Sequence, residues 1–335
     1  MKKYTHAWIA FKAIERLRSA SLTDDNRAFA DYLIEWFHDH KDGVIRGAWY
    51  PDEIIKDNST SHILKIAPAN FAPPSGGGER GDSPIPFRFR VLPSNSLLYR
   101  SGRTSPLHNR VYALDDKYNL PERCEALSHA VIDNLRIMER EPKGSALAPT
   151  NHHAALILFM LSHYIADAHM PMHCDARPGD IGSFDLHAAV EQVWEEEVVR
   201  FYAIDRYHQR FLYNEQGYPL LRDHPDYHAS ILKSVEDELA ARDFQITYGQ
   251  GNGNVREYML AVSQYSYLLA HTWLPAGVDP ARLDRAALQL PFGEGLGFRQ
   301  MSLIALADAV DSVARVWLRD LRRYMKWEKE RNPPN

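Results

Sequence analysis

The 335-residue chain has only two cysteines, Cys124 and Cys174, which excludes the disulfide framework of a small secreted domain. Neither sign of charge dominates. The 39 Lys and Arg stand against 44 Asp and Glu, and the net charge of −5 offers no surface for coating a nucleic acid. No apolar run approaches the roughly 20 residues of a membrane span, so none is expected. The opening Met1-Lys2-Lys3-Tyr4-Thr5-His6-Ala7-Trp8 lacks the apolar stretch and small-residue cleavage site of a secretory leader. A cytoplasmic protein is the resulting expectation. Phosphate-binding P-loops, Gly-rich dinucleotide fingerprints and local Ser or Cys nucleophile motifs are missing as well.

What the chain does have is helical periodicity. Trp8, Phe11, Ala13, Ile14 and Leu17 form one apolar stripe, and Phe29, Leu33, Trp36 and Phe37 another. Further helices are predicted over about 122–141, 151–170, 185–207, 227–241, 255–273 and 299–327. In the last, Leu303, Leu306, Val310, Ala314, Trp317 and Leu321 supply the buried face. With no run of alternating strands, the expected class is all-α, a single multi-helix domain over 1–335. Residues 67–110 break the pattern with Pro73-Pro74-Ser75-Gly76-Gly77-Gly78, Pro84-Ile85-Pro86 and Phe87-Arg88-Phe89-Arg90, and read as a loop-rich insertion. Its Arg88, Arg90, Arg100 and Arg103, with Phe87, Phe89 and Tyr99, suit either an anionic substrate or a solvated face.

The chemistry concentrates in Ser162-His163-Tyr164-Ile165-Ala166-Asp167-Ala168-His169-Met170-Pro171-Met172-His173 and Asp185-Leu186-His187-Ala188-Ala189-Val190-Glu191. His163/Asp167 and His187/Glu191 are each four apart, so each pair projects an imidazole and a carboxylate from one helix face. Such a pair alone is usually a surface ion pair. Two copies, with His173 between them and the first following the apolar run Ala154–Leu161, point to a divalent metal, because buried charge needs compensation. His169 does not share the His163/Asp167 face and is expected to be exposed or to face substrate. His152 and His153 read as a hydrated helix start, His38 and His40 as a helix end that favours cations, and Cys174 as a plain buried thiol.

Together with Thr5–Ala13, Trp49–Ile54 and Asp57–His62, these motifs resemble the zinc-dependent phospholipase C/P1 nuclease superfamily. The spacing from His163 to a final Glu191 is closer to the bacterial phospholipases C. The resemblance covers most of the chain, excepting 67–110 and parts of 207–254. It implies a cluster of two or three zinc ions: Asp52, His62, His163 and Asp167 for the first, His173, His187 and Glu191 for the second, and His6 with a bridging Asp167 for a third. In the family the third is completed by an amino-terminal Trp. Here Met1 stands five residues before His6, the register of the nucleases, and the large Lys2 favours retention of Met1, whose free amine is the implied ligand.

Asp52 is preferred over Asp57 as ligand and general base, because Trp49-Tyr50-Pro51-Asp52 resembles the family's turn. The implied activity is hydrolysis of a phosphodiester by metal-activated water, phospholipase C-like, on a small phosphodiester or phospholipid and with no stable nucleic-acid partner. A P1-type nuclease or 3′-nucleotidase is the alternative, and a metal-binding protein reusing the fold for other chemistry is a third. The choline-binding aromatics of the phospholipases would fall at Glu53 and Ser59, and the base-stacking Phe of the nucleases at Ile63, so neither pocket is kept.

Overall fold

The computed structural model describes residues 1–68, 83–85, 92–104, 111–113, 119–141, 145, 149–177, 180–181, 184–249, 253–291 and 293–331. The chain is all-α, built from α1 (Lys3–Ser19), α2 (Asp24–Val44), α3 (Leu97–Gly102), α4 (Leu120–Arg140), α5 (Asn151–Ala168), α6 (Pro171–Cys174), α7 (Leu186–Phe201), α8 (Ile231–Ala241), α9 (Val255–Trp273) and α10 (Phe298–Arg331). Helix starts follow local chemistry. Thr150, Asp185, Ser230 and Asn254 each accept a hydrogen bond from a first-turn amide of α5, α7, α8 and α9, satisfying donors that have no carbonyl within the helix.

Helix α5 is the axis of the molecule, packed by α1, α2, α4, α9 and α10. Its body is apolar and buried, as the sequence requires, through Leu158, Phe159, Leu161 and Ile165. Phe37, Phe159 and Trp317 interlock α2, α5 and α10, with ring centroids 4.7–5.6 Å apart. Both cysteines are free and buried. No helix among the described residues is long and apolar enough to cross a membrane.

Two expectations need correcting. Helix α7 stops at Phe201 rather than near 207, because Ile204–Asp205 turns back to pair with Arg210–Phe211. The Asp205 carboxylate holds that turn by accepting from the amides of Tyr207 and His208. Within 67–110, the stretch read as loop contains α3, whose amides at Leu97 and Leu98 bond the Asp308 carboxylate. Gly102 lets α3 lie against Tyr265, where a Cβ would sit 2.4 Å from the ring. A short strand at Val111–Ala113 pairs with Ile66–Pro68 on one side and Ser83–Ile85 on the other. Tyr99, Arg100 and Arg103 are described, with Arg103 over the Tyr99 ring at 5.6 Å. Phe87, Arg88, Phe89 and Arg90 lie outside the described residues.

Candidate metal centre

The carboxyl end of α5, the amino end of α1, the amino end of α7, one-turn α6 and the turns over 45–62 meet at one place. Each brings a side chain for a local reason. His163 and Asp167 are one turn apart on α5, both fully buried. Pro171 cannot continue α5 but opens α6, which carries His173. A π-helical turn, Pro51–Ile55, carries Asp52 and is closed by Lys56 in the left-handed region (φ 52°). A 3₁₀ turn, Ser59–His62, capped by the Asn58 side chain, ends on His62.

The Asp167 carboxylate is the hub. Its Oδ2 lies 3.0 Å from His62 Nδ1 and 3.2 Å from His163 Nε2. Its Oδ1 lies 3.1 Å from the Met1 amine and 3.5 Å from both His6 Nε2 and His173 Nδ1. Asp52 Oδ1 stands 3.7 Å from His62 Nε2 and 3.6 Å from His163 Nε2. On the α7 side, Glu191 Oε1 is 2.8 Å from both the Met1 amine and His187 Nε2, and 3.5 Å from His173 Nε2. The two imidazoles His173 and His187 face each other at 2.8 Å. Every residue of the expected set is therefore drawn into one cluster.

Three groupings of ligand atoms are close enough to hold an ion: His6–Asp52–His163, His62–His163–Asp167 and His173–His187–Glu191. The first two share His163. Its Nδ1 donates to the Ala48 carbonyl at 2.8 Å, which fixes the tautomer and leaves only Nε2 for a metal. His163 could thus serve only one ion, and His6 sits between Asp52, His163 and Asp167 rather than on a set of its own. Gly47 makes that hydrogen bond reachable. A Cβ there would come within 2.7 Å of the Leu156 carbonyl, so a larger residue would push the turn off α5.

The donor atoms fit a metal. Tetrahedral zinc with bonds of 2.0–2.1 Å has ligand–ligand edges of about 3.3 Å, and the separations above bracket that length. Both ring nitrogens of His6 and Nδ1 of His173 are buried without a hydrogen-bond partner. Leaving such groups empty costs about 1–3 kcal/mol each. Burial, with the neighbouring His163, holds the His6 pKa well below its usual value, so its lone pair is free. Burial likewise lowers His173 to about 4.

The positive end is equally perturbed. Burial opposes charge on the Met1 amine, but Asp167 and Glu191 outweigh it and raise the pKa to about 11. Against the same opposition Asp167 and Asp52 raise His163 to about 9. Burial works against ionisation of Asp167, yet the Met1 amine and His163 hold it well below the usual carboxylate range. Without metal, protons on Met1 and His163 therefore do the neutralising.

Several sequence readings fall elsewhere. Asp57, the rival of Asp52, accepts from Tyr164 Oη and Arg123, both at 2.6 Å. His169 is buried, against the expectation of exposure. Six residues on from His163 it points across the helix, and its Nε2 lies 2.9 Å from Ser312 Oγ under α10. His152 and His153 are exposed at the start of α5, and Cys174 turns its thiol to the Ala168 carbonyl. Sequence reasoning missed two supports. Tyr164 packs at a tilt against His62, with centroids 5.0 Å apart, and Glu195 binds the first turn of α1. Glu195 was findable as the residue one helical turn after Glu191. No family model, curated protein or solved structure matches this chain.

Proposed function

We propose that the protein is a zinc-dependent phosphodiesterase of the phospholipase C type. The observation that carries this reading is the meeting of Asp52, Asp167 and Glu191 with His6, His62, His163, His173, His187 and the Met1 amine, whose lone pairs face one another over 2.8–3.7 Å. The donors are imidazole, carboxylate and one amine with no thiolate, a set that suits zinc in hydrolysis. When bound, such ions acidify a water to near neutrality and neutralise charge on a phosphoryl group.

The chain's own residues divide the remaining work. Asp52 is the most open of the three carboxylates, its side chain 46% exposed against 1% for Asp167 and 13% for Glu191. Although burial raises its pKa, the hydrogen bond and charge of His163 lower it further, so Asp52 is ionised at neutral pH. It faces the solvent side of the cluster and is the acceptor for the proton of an attacking water. His187, its side chain 41% exposed, also reaches solvent. Asp167, fully buried, keeps the two halves of the cluster at fixed spacing. A P1-type nuclease or 3′-nucleotidase would use the same residues, and the buried Met1 amine in the nuclease-like register keeps that reading in view.

Metal analysis of the purified protein, followed by hydrolysis assays on phospholipids, mononucleotides and single-stranded DNA, tests the proposal. Zinc at two or three per chain with phospholipid turnover is the expected result. Hydrolysis of nucleic acid alone would transfer the protein to the nuclease reading. Absence of bound transition metal would overturn both.

A further inference from the structure

Helix α1 has no side-chain N-cap of its own, since Lys2 occupies that position. Its free first-turn amides are taken by another helix. Glu195 on α7 accepts from the amide of Tyr4 through Oε1 at 3.0 Å, and from the amide and hydroxyl of Thr5 through Oε2 at 2.9 and 3.0 Å. One turn earlier on α7, Glu191 meets the Met1 amine. Between them, Gln192 accepts from the Lys2 ammonium. One face of α7 thus holds Met1, Lys2, Tyr4 and Thr5, and the next residue is His6.

His6 cannot place itself. Neither ring nitrogen has a hydrogen-bond partner; the ring stacks on His163, centroids 3.9 Å apart, and its Nε2 lies 3.5 Å from Asp167 Oδ1. Stacking tolerates sliding, whereas metal coordination requires a lone pair aimed to within a few tenths of an ångström. The axial position of α1 must therefore come from elsewhere, and the bonds to Tyr4 and Thr5 are the nearest fixed points. We infer that Glu195 is a positioning residue of the metal centre, a carboxylate that touches no ion but sets, through the first turn of α1, where His6 meets Asp52, Asp167 and His163.

This rests on the metal reading above. A purely structural cap would behave differently, and α7 supplies the comparison. Glu197 supports the start of α8, already capped by Ser230, by accepting from the amides of Ile231 and Leu232 through the single oxygen Oε2 at 2.8 and 3.3 Å. The experiment titrates metal-free wild type, Glu195→Gln and Glu197→Ala with Zn²⁺, and with Co²⁺ as a spectroscopic probe, recording stoichiometry, affinity of each ion and Tm. A glutamine offers one acceptor and one donor end, so it cannot take amides at both ends.

Glu195→Gln should weaken one ion by about 10- to 100-fold, the usual effect of losing an outer support, and leave the rest at wild-type affinity. Glu197→Ala removes both bonds to α8 and should lower Tm with every ion retained. Wild-type affinity for all ions in Glu195→Gln, or equal metal loss in Glu197→Ala, overturns the inference. Should Glu195→Gln fail to fold, Thr5→Val removes one of the three donors and should weaken the same ion by a smaller factor; unchanged affinity there overturns it equally. Failure of the metal reading itself shows in the wild type, which would then take up no ion.

Discussion

Two buried polar clusters meet at the carboxyl end of α5, and they neutralise their charges in opposite ways. Around His169, the carboxylates Asp308 and Asp311 are matched by arginines from distant elements. Arg16 bonds Asp311 at 2.7 Å, and Arg242 bridges Asp308 and Asp311 at 2.6 and 2.9 Å. Asp308 also takes the Ser96 hydroxyl and two amides of α3, and Arg315 reaches the Gln245 carbonyl and Tyr258. Both carboxylates there have arginine partners, while His169 Nδ1 and Arg242 Nε are buried without a hydrogen bond. Two residues earlier, Asp167 is surrounded by imidazoles and an amine that titrate, and several of their nitrogens have no partner. Arginine cannot surrender its proton and therefore makes a permanent partner. Histidine and an amine can, and the place they hold is open to a metal.

The largest effect expected from breaking this contrast is at Asp167. Asp167→Asn keeps the volume but removes the charge that faces His6, His62, His163, His173 and Met1. Since outer supports alone are worth 10- to 100-fold in metal affinity, loss of this hub should cost about 100-fold or more in activity and at least one ion. Full metal content with undiminished turnover would deny it that role.

The second cluster should fail differently. Asp311→Ala leaves Arg16 and Arg242 short of a buried carboxylate, and breaking such a pair costs about 3–5 kcal/mol of stability. Denaturant unfolding should register that loss while the metal content per folded chain stays constant. Loss of metal in the folded variant would mean that the two clusters are one unit.

A pH series sharpens the contrast further. The Met1 amine and His163, raised to about 11 and about 9, carry protons at pH 7 in the metal-free chain. Metal must displace them, so affinity should rise with pH between 6 and 9, and calorimetry in buffers of different ionisation enthalpy should show proton release. In the metal-free protein the sign for stability is the reverse. His163 has a raised folded pKa, so its contribution is complete below about 6.5 and fades as pH passes through about 9. In the arginine cluster burial opposes ionisation of Asp308, but Arg242 and Ser96 depress its pKa below the ordinary acidic value, so that carboxylate stays charged through this window. Metal uptake without pH dependence would contradict the protonated state of His163.

The smallest effect is expected at Asp57. Asp57→Asn weakens the bonds from Tyr164 and Arg123 beside His62 and should cost about 1–3 kcal/mol of stability, with the metal count unchanged. A lost ion would make Asp57, rather than Asp52, the ligand of that turn.

The sequence by itself determined the helices and the candidate ligands that share a helix or a short segment. Periodicity located α1, α2, α4, α5, α8, α9 and α10 to within a few residues, because an apolar face must repeat every 3.6 residues to be buried. The pairs His163/Asp167 and His187/Glu191 were legible for the same reason, since residues four apart share a face. Only the tertiary structure decided what depends on where separate elements dock. It put His169 under α10 instead of at the surface, ended α7 early through the turn at Asp205, and revealed α3 inside a stretch without helical periodicity. It also assigned Asp57 to Tyr164 and Arg123, and the first turn of α1 to Glu195. The pairings of Asp57 with Arg123 and Tyr164, of His169 with Ser312 and of Tyr4 with Glu195 join residues 66 to 191 positions apart, and no local spacing encodes a distance that chain packing alone sets.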